Sequence, residues 1–451
     1  MKEKKFEPYK RIFLFFEAVI TLACHCGLFA YAWYMHINPL SEKPFTGKGN
    51  LFEIAVYVVV ALVLLRIYGG LEVGFYTPIN AILSQILSMF CANAVMGIQV
   101  ILRIGSLYTI IPICVVMLIV FVIQIAISML CVLIFDGLYT KMFPAWDILL
   151  IYENDSVRMF TDKLNSRKDK YVVSEMIHVS EGFDKLKERI AEHGSVIIYD
   201  VSSEMRNDIL KYCYGEGVRV YQTPKISDIL IRSAREDHMF DSPLLMSDNI
   251  GLTFEQKFIK RTLDIIFSLL MVILTSPIML ITALLIKLED HGPVMFTQER
   301  ITYNNKPFTI YKFRSMIVDA EKNGAQPAVD GDSRITKVGS FIRKTRIDEL
   351  PQLFNVLKGD MSIVGPRPER VEHVEKYTKE IPEFKYRTKV KGGLTGYAQV
   401  YGKYNTSAYD KIKLDLMYIE RYSIALDLMI VVMTVKVLFM KSSTEGFVEG
   451  K

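Results

Sequence analysis

The chain has 451 residues, of which 51% are hydrophobic and 23% charged, with a formal net charge of +5. That length leaves room for two to four folded units, and the apolar share is high for a wholly soluble protein. Basic residues are spread along the chain with no stripe of interleaved aromatics, which argues against nucleic acid as a partner.

Four long apolar runs come first, at about 12–34, 51–69, 79–102 and 109–137. Each approaches or exceeds the roughly 20 residues needed to cross a hydrocarbon core. Trp33, Tyr34, Tyr68 and Tyr108 sit near their ends as interfacial anchors do, and Lys2, Lys4, Lys5, Lys10 and Arg11 favour a cytoplasmic N-terminus. Four crossings return the chain to the cytoplasm near Asp136, giving a bundle over 1–140. The opening basic residues run into a segment of full spanning length, unlike a cleavable signal. Five of the six cysteines lie in these runs and suggest neither a disulfide framework nor a zinc site.

From 147 to 240 the rhythm changes to short apolar runs alternating with amphipathic ones, which predicts βαβ units and a small parallel sheet. Its first turn, Tyr152-Glu153-Asn154-Asp155-Ser156, lacks a Gly-rich fingerprint, and its acids would repel a pyrophosphate. A regulatory or dimerisation module is the better expectation.

A further apolar run spans 263–288 and carries Ser276-Pro277 near its middle. Proline removes one helical hydrogen bond and kinks a helix. Basic residues flank both sides, Lys257, Lys260 and Arg261 before and Lys306, Lys312 and Arg314 after. That balance favours a reentrant hairpin that leaves by the face it entered. The run Ile424–Met440, interrupted by Asp427 and Lys436, reads as an interfacial or packed helix, and 441–451 as a loose tail.

The densest chemistry lies in Arg343-Lys-Thr-Arg-Ile-Asp348-Glu349 and, further on, Gly365-Pro366-Arg367-Pro368. A carboxylate can attack phosphorus or hold a divalent metal, and Arg clamps phosphate oxygens bidentately. An isolated Asp-Glu before Pro351 would be only an acidic helix start. Its basic surroundings make it more.

Around these residues the chain resembles the bacterial sugar transferases, polyprenyl-phosphate glycosyl-1-phosphate transferases. The resemblance rests on Phe296-Thr-Gln-Glu-Arg300, Phe308-Thr-Ile-Tyr-Lys312-Phe313-Arg314-Ser315-Met316 and Asp332-Ser-Arg334-Ile-Thr336-Lys-Val-Gly339. The Asp348-Glu349 stretch, Leu394-Thr-Gly396-Tyr-Ala-Gln399 and Lys413-Leu-Asp415-Leu-Met-Tyr418 complete it. It implies a membrane protein of α plus α/β class: four transmembrane helices, a βαβ domain and a mainly α catalytic domain over 255–440. That domain would be anchored by the reentrant helix, whose break is Ser276-Pro277. The implied reaction takes sugar-1-phosphate from a UDP-sugar to undecaprenyl phosphate at the cytoplasmic membrane face, releasing UMP. Asp348 and Glu349 are then the catalytic dyad and the Mg²⁺ ligands, with Asp348 the nucleophile and Glu349 projecting about 100° away if both lie on a helix. Arg314, Arg343, Arg367 and Lys403 are the phosphate-binding candidates, Lys312 a lesser one, and a homodimer is expected.

Three departures from the family pattern stand out: Gly392 for a Pro, Tyr397 for a Trp and Thr302 for a Gly. Lys403 also replaces a frequent Arg and so loses its bidentate fork. Alternatives are a non-catalytic membrane scaffold, which predicts a damaged dyad, and a glycosidase, whose acids should be separated across a sugar. A transporter fits poorly, because the four runs are expected to lack the intramembrane charges that would mark a pathway.

Overall fold

A computed structural model describes residues 6–41, 43–104, 107–154, 156–247, 251–318, 320, 332–402 and 406–438. They form two compact units, Met1–Pro224 and Lys225–Lys451. Lys403 and the 441–451 tail lie outside the described residues.

The first unit opens with four long helices, α1 (Lys10–Ala32), α2 (Lys48–Tyr68), α3 (Pro78–Ile104) and α4 (Leu107–Met142), on the four apolar runs. Phe29, Trp33, Tyr57, Met89 and Met96 are buried between them. Phe29 stacks on Tyr57 at 3.8 Å between centroids. Phe16, Leu62, Leu130 and Leu133 point outward and are exposed, as lipid-facing side chains would be.

The expectation that these runs lack charge does not hold. Glu17, His25 and Glu53 are buried within the bundle, Glu53 against Arg103. Nearby, Tyr57 donates to Asn93 Oδ1 (2.9 Å), Asn93 to Gln124 Oε1 (2.7 Å) and Gln124 to the Tyr57 oxygen (2.8 Å). Inside hydrocarbon, polar side chains turn inward and bond across helices. These residues stand in the sequence within the apolar runs, and one ionisable residue in a long run hardly alters its average hydropathy.

The same unit continues as β1 (Trp146–Tyr152), α5 (Val157–Asn165), β2 (Tyr171–His178), α6 (Phe183–Glu192), β3 (Ser195–Tyr199), α7 (Ser203–Gly215) and β4 (Arg219–Gln222). All pairings are parallel in the order β2-β1-β3-β4. Strand order reverses between β1 and β3, where ligands of open α/β sheets sit. In this crevice Asn154 donates to Asp200 Oδ2 (2.7 Å), and Glu153 accepts from the Ser202 N–H at the start of α7. A carboxylate of the chain itself thus occupies the position a helix start offers to a phosphate.

In the second unit α8 (Ile226–Arg232) packs Ile226 and Ile229 into a core with Phe384 and Leu416. An antiparallel hairpin follows, β5 (Arg235–Met239) and β6 (Ser242–Met246), exposed along both strands. No local turn signal announces it, because its turn has Phe240 at φ 58° where Asn-Gly or Asp-Gly would be usual.

Next, α9 (Phe254–Asp290) runs unbroken through Ser276 and Pro277. Pro277 cannot donate to the Ile273 carbonyl four residues back, and Ser276 Oγ donates to that carbonyl instead (2.9 Å). With the four bundle helices, α9 is one of five described helices long and apolar enough to cross a membrane.

Packed on its ends are the antiparallel pair β7 (Met295–Ile301) and β8 (Pro307–Phe313), then α10 (Lys337–Lys344) and α11 (Gln352–Lys358). The rest comprises β9 (Ser362–Val364), α12 (Val371–Glu380), β10 (Gly393–Thr395, parallel to β9), α13 (Tyr397–Tyr401), α14 (Ala408–Glu420) and α15 (Ile424–Leu438). Asp427 of α15 pairs with Lys260 of α9 at 2.6 Å, so α15 is packed into this unit.

Candidate active site

Asp348 and Glu349 do not lie on a regular α-helix. They occupy a 3₁₀ turn, Ile347–Glu349, between α10 and α11, with Pro351 at the N-cap of α11. Arg346, just before, holds φ 58° and ψ 17°, a left-handed conformation that costs a non-glycine residue energy and clusters at functional sites. The turn is anchored from below. Ile347 packs on a core of Ile286, Phe313 and Ile342, so the dyad rests on the C-terminal end of α9. At the start of α9, Arg261 donates to the Val356 and Leu357 carbonyls (2.5 and 2.7 Å), capping the open end of α11.

Glu349 is buried and surrounded by cations. Lys312 Nζ lies 3.1 Å from Oε1, Arg367 Nη2 2.8 Å from the same oxygen, and Arg346 Nη1 3.8 Å away. Burial alone would push this carboxyl up, but Arg367, Lys312 and Arg346 outweigh it and hold it well below the usual carboxylate range. Asp348 is shifted the other way. Burial and the adjacent Glu349 charge raise it, against the pull of Lys312, Arg346 and Arg343. Its Oδ1 is buried without a hydrogen-bond partner. One carboxylate of the pair is therefore neutralised and tied down while the other is left free. That division suits one positioning group and one reacting group.

The anticipated phosphate ligands separate. Arg367 and Lys312 meet at Glu349. Arg343 is half-buried on α10, near enough to lower the Asp348 pKa, and its side chain has no ion-pair partner among the described residues. Arg314 is engaged elsewhere: both terminal nitrogens bond Asp290, and Nε donates to the Pro293 carbonyl (2.6 Å). Gly292 lies flat against that guanidinium, where a Cβ would come within 2.8 Å of Nη2.

Lys312 stands closer to the dyad than a lesser phosphate candidate would, 3.1 Å from Glu349. On β8, Phe308 and Ile310 face the core, and the alternation of a strand carries Lys312 onto the same side. A lysine in core register implies a buried partner, which is Glu349. Two of the departures also touch: the Gly392 N–H donates to Thr302 Oγ1 (3.1 Å), and Thr302 Oγ1 donates to the Asp360 carbonyl (2.9 Å). A proline at 392 would have no N–H to give.

Long apolar helices, with a buried carboxylate dyad ringed by cations at the end of one of them, define a membrane-associated class of site. The model of one family, described as bacterial sugar transferase, matches residues 255–441. A UDP-N-acetylgalactosamine-undecaprenyl-phosphate N-acetylgalactosaminephosphotransferase of Aeromonas hydrophila is 44% identical over 256 residues, 54% of this chain and 59% of that protein. Two UDP-glucose:undecaprenyl-phosphate glucose-1-phosphate transferases also match. That of Klebsiella pneumoniae is 46% identical over 202 residues, 44% of this chain and 42% of its own length. That of Caulobacter vibrioides is 43% identical over 181 residues, 39% of this chain and 68% of its own length. The chain belongs to the bacterial sugar transferase family and is a membrane protein. It spans about half the length of the Aeromonas and Klebsiella relatives.

Proposed function

We propose that this protein transfers a sugar-1-phosphate from a UDP-sugar to undecaprenyl phosphate at the cytoplasmic face of the membrane, opening the synthesis of a polysaccharide repeat unit. The observation that carries this reading is the free, buried Oδ1 of Asp348 beside a Glu349 neutralised by Arg367 and Lys312. The names of the relatives support the class of reaction, and they differ in the sugar.

An Asp348 oxygen attacks the β-phosphorus. A carboxyl-oxygen–phosphorus bond forms, the bond from that phosphorus to the bridging oxygen breaks, and UMP leaves with that oxygen. A phosphate oxygen of the lipid then attacks the same phosphorus and frees Asp348 as carboxylate. Arg343 and Arg367 bind and orient phosphate oxygens, and Glu349 fixes Arg367 and Lys312 where charge develops. Among the described residues no cluster of three His, Cys, Asp or Glu could hold a metal alone. The free Asp348 oxygen nonetheless fits Mg²⁺, which takes one or two carboxylates plus substrate phosphates. When bound it would neutralise the diphosphate, with Asp348 as ligand and Glu349 largely engaged by its cations.

In this reading α9 enters and leaves by one face, bending at Ser276-Pro277, whose hydroxyl already serves the orphaned carbonyl. The protein works as a homodimer, a reading supported by the exposed β5–β6 hairpin with Met239, Phe240 and Leu245 on its surface. An isolated hairpin is marginal in water and gains from a partner surface.

The deciding experiment measures UMP release from a panel of UDP-sugars by membrane-embedded protein with Mg²⁺ and undecaprenyl phosphate. Lipid-dependent release with one donor, absent in Asp348→Asn, is expected. Folded protein silent across the panel would sink the reading.

A further inference from the structure

The loop that carries Arg367 has an unusual problem. Pro366 and Pro368 flank it, so two of its backbone donors are missing and no strand ladder can hold it. Its carbonyls are held instead. Pro366 O accepts from the Gly393 N–H (2.9 Å) and Glu369 O from the Ile301 N–H (3.0 Å). Pro368 O accepts from Arg300 Nη1 (3.2 Å), and Arg367 O accepts from Arg387 Nη2 (2.9 Å).

Arg387 is 5% exposed, with its guanidinium 4.9 Å from the centre of the buried Phe384 ring. The same Nη2 lies 2.9 Å from Asp415 Oδ2, and Asp415 is itself 1% exposed on α14. Three residues on, and so on the same helix face, the Tyr418 hydroxyl sits 3.2 Å from the Val364 carbonyl and 2.8 Å from Asp427 Oδ1. One motif of α14, Lys413-Leu-Asp415-Leu-Met-Tyr418, therefore bears on the loop through Arg387 and on Val364, the end of the strand that leads into it. Neither residue contacts the dyad.

We propose that Asp415, acting through Arg387, is a positioning element that sets the Arg367 loop and thereby the grip of Arg367 on Glu349. The order of action runs Asp415, Arg387, the Arg367 carbonyl, the Arg367 guanidinium, Glu349. Without Asp415, Arg387 would keep its charge and its 3.9 Å approach to Glu369 but lose its nearer carboxylate and with it its aim, and the proline-flanked loop has few other donors to replace it. The catalytic consequence rests on the transferase reading above; the mechanical one does not.

Two readouts separate them. Hydrogen–deuterium exchange of peptides covering 361–370 and 392–396 is compared in the full-length protein, Arg387→Met, Arg387→Lys and Asp415→Asn. Several-fold faster exchange at Gly365 and Gly393, whose N–H groups bond the Thr395 and Pro366 carbonyls, is expected in Arg387→Met and Asp415→Asn, less in Arg387→Lys, with the α1–α4 peptides unchanged. Unchanged exchange in the loop of either Arg387→Met or Asp415→Asn overturns the proposal, whatever the activity. General loosening of the whole second unit also overturns it, since the role would then be merely structural. In turnover, Arg387→Met should fall roughly 10–100-fold, the range for losing a charged hydrogen bond. Because Arg387 acts through Arg367, Arg367→Met and the Arg367→Met/Arg387→Met double variant should lie within about 3-fold of each other. Multiplicative losses would refute that route even where exchange agrees.

Discussion

Lys312 Nζ and Arg367 Nη2 converge on the same oxygen of Glu349, at 3.1 and 2.8 Å. Two cations on one carboxylate oxygen repel each other, so each depends on that carboxylate remaining ionised. Burial, only partly opposed by Glu349, lowers the Lys312 pKa, and Arg367 lowers it further. Lys312 also pulls down the Asp348 pKa, which is otherwise raised.

The pH dependence follows from these directions. Attack on phosphorus needs ionised Asp348, so activity is lost as pH falls through its raised pKa, and the acidic limb should lie above 3.8, the ordinary Asp value. Removing Lys312 as Lys312→Met takes away a lowering charge and should move that limb to higher pH. A kcat/KM profile from pH 4 to 8 reads the shift. A limb that stays in place or moves down contradicts the assignment of Asp348 as the titrating group.

Stability should move against activity at Asp348. A carboxyl whose folded pKa is raised binds its proton more tightly when folded, so its ionised form destabilises the fold above that pKa. Asp348→Asn should therefore melt higher than the wild type at pH 7, with the gain shrinking toward pH 4, while losing transfer activity. Glu349→Gln should do the reverse. Its pKa is depressed, so its contribution is present at neutral pH and lost on acidification, and the variant strands Lys312 and Arg367. Thermal melts at two pH values decide both signs.

Much of this arrangement was legible in the chain. The four apolar runs, the βαβ alternation and the Asp348-Glu349 dyad each announce themselves through local pattern. Other parts depend on partners distant in sequence. Arg314 reads like Arg367, since both are arginines in motif stretches of the same domain. Only the fold shows that the Arg314 fork is filled by Asp290, outside the dyad, and the Arg367 fork by Glu349, within it. Glu17 and Glu53 are readable in the apolar runs but their burial is not, because window averages measure the mean polarity of a helix and not which face a single charge occupies.

Arg314 and Arg343 should accordingly separate in an assay. Arg314→Lys breaks a bidentate pair and a carbonyl contact beneath the site, and should lower the melting temperature with little change in KM for the donor. Arg343→Ala removes a cation with no ion-pair partner among the described residues. It should leave stability within about 0.5 kcal/mol, as for surface changes away from special features, and raise KM or lower kcat roughly 10²-fold. The opposite pattern would assign the phosphate role to Arg314.

The Thr302–Gly392 contact is the sharpest test of how this chain departs from its family's usual pattern. Thr302 Oγ1 accepts the Gly392 N–H and gives its own proton to the Asp360 carbonyl, and both Thr302 and Gly392 are buried. Thr302→Val keeps the volume and removes both bonds, leaving a buried donor and an acceptor unmet at a cost of about 1–3 kcal/mol. Gly392 cannot simply become Ala, because a Cβ there would stand 2.5 Å from Pro368 Cγ in the Arg367 loop. Gly392→Ala should thus disturb turnover as well as stability, whereas Thr302→Val should act mainly on stability. Urea denaturation of both variants, set beside their UMP release, distinguishes the two effects. Equal losses of activity at equal stability would show that the contact itself, and not the Pro368 approach, supports the Arg367 loop.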